Sequence, residues 1–391
     1  MSPLEKIYMD HNATTPLDSR VAEAMRPYLA EYFGNPSSTT HEHGRVTREA
    51  VETAREKVAA LINAGSREIV FTSGATEADN LAIMGVASRM REKGNHIITT
   101  RIEHKAVLDT CKYLQKNGFD VTFLPVDRHA MIDPDDLEKA ITDRTILISV
   151  MYVNSEVGTI EPVEEVGKIA RRHGVIFHCD AVQAAGKIEM DVKALNVDLL
   201  SMSGHKIYGP KGVGVLYIRK GVRIDPIMHG GGQERGVRPG TLNTPAIVGL
   251  GKACELRKAE MAPEAKRLIP LRERLRGKIE ANIEKVHLNG HPVKRQPGNL
   301  NFSFEYVEGE SLILSMKDVA LSSGSACTSD SLESSYVLLA MGVPEVLAHC
   351  SVRFGLGKDN TEDDVDQVAA QLAVNVERLR EMSPLVGSDL V

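Results

Sequence analysis

Short apolar runs and helical patterns alternate along the first two-thirds of the chain. Glu68-Ile69-Val70-Phe71 is strand-like and leads into a helical pattern from about 75 to 93. His96–Thr100 precedes a helix that begins near Lys105, and Val121–Leu124 leads to Asp133-Pro134, a helix-start signal. Residues 145–153 read as one long buried strand, after which Glu161-Pro162 opens another helix. Val175–Asp180, Leu199–Met202 and Val213–Ile218 complete the strand-like set. This order predicts an α/β fold whose large, mostly parallel sheet is covered on both faces. After about Thr244 the texture changes. Residues 246–286 read as a long helix rich in Glu, Lys, Arg and Leu. Short strands at Asn299–Phe304 and Val352–Phe354 follow, then a helix over about 361–381. The pattern predicts a large domain over 15–260 and a smaller α+β domain made of 1–14 and 261–391.

Composition narrows the function classes. The 391 residues are 42% hydrophobic and 26% charged, values of an ordinary globular protein with a sizeable core. A net charge of −6 and the lack of any Lys/Arg run argue against nucleic acid as a partner. The apolar stretches are short and end in Gly, Asp or Lys, so no membrane span is expected. The start, Met1–Lys6, lacks the basic and apolar regions of an export signal, so a cytoplasmic protein is expected. Cys111, Cys179, Cys254, Cys327 and Cys350 are widely spaced and form no C-x-x-C pair. That pattern supports neither a zinc ribbon nor a disulfide framework.

Three local signals carry chemistry. Lys206 lies between the apolar run 199–202 and the turn Tyr208-Gly209-Pro210. Partial burial there would lower its pKa and make a nucleophilic amine. Phe71-Thr72-Ser73-Gly74-Ala75-Thr76 is a strand, a small-residue turn and a helix start. Its backbone N–H groups and the Thr76 hydroxyl would form an anion site. Asp180 ends an apolar strand, where an acid points into the ligand crevice of a parallel sheet. An anion site, an acid and an amine are the three anchors of pyridoxal phosphate: for its phosphate, ring nitrogen and aldehyde.

The chain resembles the cysteine desulfurases of the NifS/IscS type, within the aspartate-aminotransferase-like (fold type I) enzymes. The matching segments begin at Tyr8–Pro16 and Phe33–Ser38, and continue through Thr72–Glu77, Glu103-His104 and Asp180–Gln183. They go on with Ser203–Lys206, Gly230–Gly236, Ser322–Thr328 and Leu379–Leu385. The resemblance implies pyridoxal 5'-phosphate as cofactor, held covalently by Lys206. Asp180 would pair with the ring nitrogen, and Gln183 would hydrogen-bond the phenolic oxygen. Ala75, Thr76, Ser203 and His205 would hold the phosphate, with Asn154 and Ser155 also near the cofactor. His104 would stack on the ring and transfer protons. Arg353 and Asn12 would bind the substrate, L-cysteine. Thr241 would reach the phosphate of a second subunit, which implies a homodimer with shared sites.

Cys327 separates this reaction from those of related enzymes. It lies among Ser, Gly and Thr with no apolar cover, so a mobile and reachable loop is expected there. The resemblance implies that it takes the substrate sulfur as a persulfide, leaving L-alanine. No resident metal is expected, although Cys327 could serve transiently as an iron–sulfur ligand. A selenocysteine lyase, an aminotransferase or a non-catalytic sulfur-assembly subunit are the competing readings. Two departures from the family stand out: Asn154-Ser155-Glu156 replaces the usual Asn-Asn-Glu, and little chain follows Pro384-Leu385. The sulfur acceptor stays open among an iron–sulfur scaffold, a tRNA-thiolation carrier and a metalloenzyme pathway.

Overall fold

The computed structural model describes residues 7–323 and 334–382. Its main sheet has seven strands: β1 (Ile69–Thr72), β2 (His96–Thr100), β3 (Asp120–Leu124), β4 (Thr145–Ser149), β5 (Ile176–Asp180), β6 (Leu199–Ser203) and β7 (Gly214–Ile218). Their order across the sheet is β1-β7-β6-β5-β4-β2-β3. The neighbours from β6 to β3 are parallel, and β7 runs against both β6 and β1. The strands are rich in Ile, Leu and Val, as expected for a sheet buried on both faces.

One face packs against α1 (Glu42–Leu61), which contributes Val51, Ala54 and Val58 to the largest core cluster. The other face carries α2 (Ala75–Met90) and α3 (Lys105–Lys116), which supply Leu81, Ile83, Val107 and Leu114. Helix α4 (Val163–His173) adds Val166 and Ile169 to the first face and ends at Gly174, whose φ of +63° suits a residue without Cβ.

Two sequence expectations need adjustment. The strand expected over 145–153 leaves the ladder after Ser149. Val150–Val153 remain nearly buried, but this segment turns to shape the site. Helix α1 was not among the sequence expectations, because its buried face uses alanine, threonine and glycine beside only a few valines.

Helix α5 (Thr244–Asn282) joins two cores. Ala246–Cys254 pack under the main sheet, whereas Leu268, Leu271, Leu275 and Ile279 belong to a second cluster. That second cluster lies on a small antiparallel sheet of β8 (Val286–Leu288), β9 (Asn299–Phe304) and β10 (Ser351–Gly355), ordered β10-β9-β8. Helix α6 (Glu362–Met382) covers it with Val365, Val368 and Leu372. Met9 is buried in the same cluster, so the segment after residue 7 is stitched to the small sheet.

The turn Gln233–Gly236 contains Glu234 and Arg235 at φ of +45° and +59°. A buried ion pair holds it. Arg55 donates to both Glu234 oxygens at 2.7 Å, and the Phe71 N–H donates to Glu234 at 2.8 Å. Truncating one member of such a pair leaves the other charge unsatisfied in the core. Glu234→Ala is therefore expected to cost about 3–5 kcal/mol of stability. Denaturant unfolding checks this; an unchanged midpoint would contradict it.

Candidate active site

The site lies where the parallel strands end, as elementary α/β geometry requires. A cleft of about 530 Å³ is lined by residues that follow β1, β2, β4, β5 and β6, together with Asn12–Thr14 and Arg353. Most of the residues expected from the sequence meet here. Asn12, Ala75, Thr76, His104, Ser155, Asp180, Gln183, Ser203, His205, Lys206 and Arg353 all line it.

Lys206 follows β6 on a single 3-10 turn and is half-buried. Its Nζ donates to the carbonyls of Asn12 at 2.7 Å and Ala13 at 2.5 Å. The Asn12–Thr15 segment is itself fixed to the lysine turn. The Thr15 N–H and hydroxyl both donate to the His205 carbonyl, and the Tyr208 N–H donates to Thr15. Tyr208 has φ of +62°, an uncommon conformation for a bulky residue, at the exit of that turn. The turn therefore holds the amine against the cleft wall. His205 is neutral at ordinary pH, since burial and then the charges of Lys206 and Lys211 bring its pKa down to about 4.

The opposite wall is acidic. Asp180 is nearly buried and accepts from the Val182 N–H at 3.0 Å. Burial, and then the neighbouring Asp79, raise its pKa to about 6. Asp79 comes from α2, is 1% exposed, and neither of its oxygens has a hydrogen-bond partner among the described residues. His178 lies 3.5 Å from it, held by Ser149 and Ser201.

At the start of α2, the N-cap Gly74 provides no side-chain cap, so the first N–H groups face the cleft without an intrahelical acceptor. Gly214 of β7 lets this turn approach the sheet; a Cβ there would meet Gly74 at 2.5 Å. His104 caps α3, with its Nδ1 accepting the Ala106 N–H at 3.1 Å. A neutral ring in that arrangement keeps its proton on Nε2. The capping and cleft-lining readings of His104 therefore coexist.

Arg353 is 1% exposed in β10. Its guanidinium donates to Asp10 at 2.9 Å and to the Ser155 carbonyl at 3.1 Å, while its Nε has no partner among the described residues. Asp10 also accepts from Ser322 at 2.8 Å. The fork is aimed and still has donor capacity for a carboxylate.

Two expected residues are not among the cleft lining, and a third lies outside the described residues. The Asn154 amide turns inward: it donates to the Ile102 carbonyl and accepts the Glu156 and Val157 N–H groups. Thr241 is exposed and outside the cleft lining. Cys327 lies outside the described residues. The other four cysteines are buried and unbridged, and burial raises every one of their thiol pKa values. Sequence reasoning missed Asp79, Asp10 and Lys211 as neighbours of the site. Asp79 was findable, being one helical turn beyond Thr76.

The donor set fits a phosphorylated pyridine aldehyde. Uncapped N–H groups and hydroxyls suit its phosphate, Asp180 backed by the unpartnered oxygens of Asp79 suits a protonated ring nitrogen, and Lys206 suits its aldehyde.

Comparisons with known proteins agree with this geometry. The family model for aminotransferase class-V matches residues 7–368. A protein called cysteine desulfurase IscS from Anaeromyxobacter sp. (strain Fw109-5) is 56% identical over 97% of this chain and 94% of its own length. A cysteine desulfurase of Mus musculus is 55% identical over 98% of this chain and 84% of its own. Among solved structures, a NifS-like protein aligns with a TM-score of 0.87 at 40% identity, covering 96% of this chain and 99% of that one. A structure described as SspA in complex with cysteine aligns with a TM-score of 0.79 at 38% identity, covering 90% and 98%.

The raised pKa of Asp180 has a consequence for stability. The group holds its proton more tightly in the folded chain, about 6 against 3.8. Its contribution therefore falls as pH rises through that window, and the full cost persists above it. Asp180→Asn removes the cost. The ligand-free variant is expected to gain about 3 kcal/mol near pH 8 and nothing near pH 3. Unfolding at both pH values tests this, and equal stability of variant and parent near pH 8 would contradict it.

Proposed function

The chain belongs to the aminotransferase class-V family and, within it, to the cysteine desulfurases of the NifS/IscS type, and we propose from that premise how its residues divide the work. It is an enzyme that depends on pyridoxal 5'-phosphate and removes sulfur from L-cysteine. The observation that carries the residue assignment is that Lys206, Asp180, the first turn of α2 and Arg353 surround one cleft.

When bound, the cofactor supplies an aldehyde for the substrate amine and a ring that stores the electron pair released at the α-carbon. Lys206 would hold it covalently, and its free amine would take the α-proton of the substrate. Asp180 shares a proton with the ring nitrogen, an arrangement favoured by the second acid, Asp79, behind it. Ala75, Thr76, Ser203 and His205 would hold the phosphate, and Gln183 would donate to the phenolic oxygen. Arg353 binds the substrate carboxylate, with Asn12 beside it. His104 moves protons through Nε2. Asn154 acts indirectly in this reading, by fixing the turn that presents Ser155 and its carbonyl to Arg353.

The Cys327 thiolate attacks the substrate sulfur. A sulfur–sulfur bond forms, the carbon–sulfur bond breaks, and its electron pair stays with the carbon skeleton. Protonation of that skeleton gives alanine, so cysteine and a thiol become alanine and a persulfide. The burial that raises the other four thiols supports Cys327 as the reactive one.

The persulfide sulfur then passes to an acceptor protein, for iron–sulfur cluster assembly or other sulfur-containing products, in the cytoplasm. The exposure of Thr241 suits a role across a subunit boundary, in a homodimer with shared sites. Among the described residues, no helix is long and apolar enough to cross a membrane.

Cys327→Ser is expected to keep the visible absorbance of the bound cofactor while losing alanine and persulfide formation from cysteine. Turnover at the parent rate would overturn the assignment. His104→Ala is expected to lower kcat by about 10²–10⁴-fold, the usual span for a lost proton-transfer group. A kcat within a factor of about three would remove His104 from that role.

A further inference from the structure

Lys187 belongs to none of the roles above, yet it stands directly behind two of them. It follows Gly186, whose φ of +65° turns the chain back under the segment that begins at Asp180. Its Nζ donates to the Gln183 Oε1 at 2.9 Å. Asn12 Nδ2 donates to the same oxygen at 3.3 Å, and Gln183 Nε2 donates to the Asn12 carbonyl at 2.8 Å. That carbonyl also receives the Lys206 amine. The two lysines are thus joined through one amide side chain and one main-chain carbonyl.

The chemistry of the partners fixes the direction of this network. A lysine ammonium only donates, and a side-chain amide oxygen has two acceptor sites. With Lys187 and Asn12 on the Gln183 oxygen, the amide cannot reverse without setting donor against donor. Gln183 also lines the main cleft, whereas Lys187 lines a separate cavity of about 20 Å³ behind it. Lys206 borders both. The second N–H of Gln183 is what remains for a ligand in the cleft.

We propose that Lys187 is a positioning residue: it pins Gln183 as an N–H donor toward the cleft and sets a second positive charge behind Lys206. The proposal rests on the cofactor-binding roles assigned above to Lys206 and Gln183. Both effects act in one direction. A fixed donor stabilises an anionic phenolic oxygen, and a nearby cation disfavours a proton held on the Lys206 nitrogen.

The groups facing Lys187 are Lys206, His11, Tyr208, Arg257 and Glu264, with Arg353 contributing at longer range. Glu264 is the one acid among them, and it is engaged by Arg257 at 2.7 Å. Burial, and then the charge of Lys206, bring Lys187 down to about 7. His11 is neutral, held down to about 3 by burial and then by Lys187. Two amines that cannot both be charged cheaply are coupled titrations.

The test uses the cofactor-loaded, substrate-free protein and follows its visible absorbance against pH. Lys187→Met is expected to move the midpoint of that titration upward by about one pH unit, a tenfold change in proton affinity, or ~1.4 kcal/mol. Lys187→Arg, which keeps charge and donor, is expected to restore the midpoint to within a few tenths of a unit. Should the methionine variant not fold, Lys187→Gln, which loses the charge, is read in the same way. An unmoved midpoint in the neutral variant overturns the proposal, as does an equal upward shift in Lys187→Arg. Lys206→Ala serves as the separate control. If it retains the covalent visible band, the underlying assignment of Lys206 fails rather than the role of Lys187.

Discussion

The site is organised around two buried carboxyl groups that pair with no Lys or Arg among the described residues. Asp180 and Asp79 sit at the base of the cleft, removed from water, with Asp79 lacking any hydrogen-bond partner among the described residues. Isolated carboxylates in such a place are costly, and the folded chain answers by holding a proton on Asp180 up to about pH 6. The facing side has the opposite excess: Lys206 donates to main-chain carbonyls, Lys187 behind it donates to the Gln183 amide oxygen, and Arg353 pairs with Asp10. A ligand that is cationic at one end and anionic at the other relieves both walls at once. This is why the proposed division of labour follows from electrostatics and not only from resemblance.

The fold supplies this separation cheaply. Parallel strands bring their carboxyl ends to one edge, so Asp180, Ser203 and the turns after β1, β2 and β4 converge without long loops. The cationic wall is less local. Its Arg353 comes from the small sheet, and its carbonyl acceptors come from Asn12 and Ala13, close to the start of the described chain. Asp10 links the two, since it pairs with Arg353 while its neighbours run on to Lys206. The two hydrophobic cores are therefore joined at the site by polar contacts as well as by α5.

What was legible in the sequence was what is local. Strand ends, the small-residue turn before α2 and the Ser203–Lys206 turn each carry their chemistry within a few residues. Asp10 and the inward-turned Asn154 were not legible, because their meaning depends on a partner more than a hundred residues away or on a turn closed by main-chain groups. Lys187 bonds Gln183 only four positions away, but that bond gains meaning only from Asn12 on the same oxygen. The strand expected over 145–153 shows the same limit. Its apolar run continues because Val150, Met151 and Val153 are buried, but burial does not require a ladder, and this strand ends at Ser149. Helix α1 is the converse case. Its buried side mixes Gly, Thr and Ala with only Val51, Val58 and Leu61, too few to register as an apolar stripe, and the buried partner of Arg55 on that side is Glu234, 179 positions along.

Burial also sorts the thiols, and this bears on the reaction itself. A desulfurase must expose one thiolate to substrate sulfur without offering others to the same persulfide chemistry. Cys111 and Cys254 are held up to about 12 by desolvation, and Cys179, beside Asp180, is raised well above its ordinary value by burial and then by the acids around it. Cys179 shows the economy of the arrangement. Burial keeps this thiol protonated, and the acids proposed to serve the ring nitrogen add to the effect. On the described residues either side of the segment that contains Cys327, Ser322 donates to Asp10 and Ser335 donates to the buried Glu156. Each of these acceptors stands beside a residue that holds Arg353, Asp10 directly and Glu156 through the adjoining Ser155 carbonyl. The proposed carboxylate clamp and the described residues flanking the Cys327 segment thus share the same few polar groups, which ties the proposed clamp to the ends of that segment.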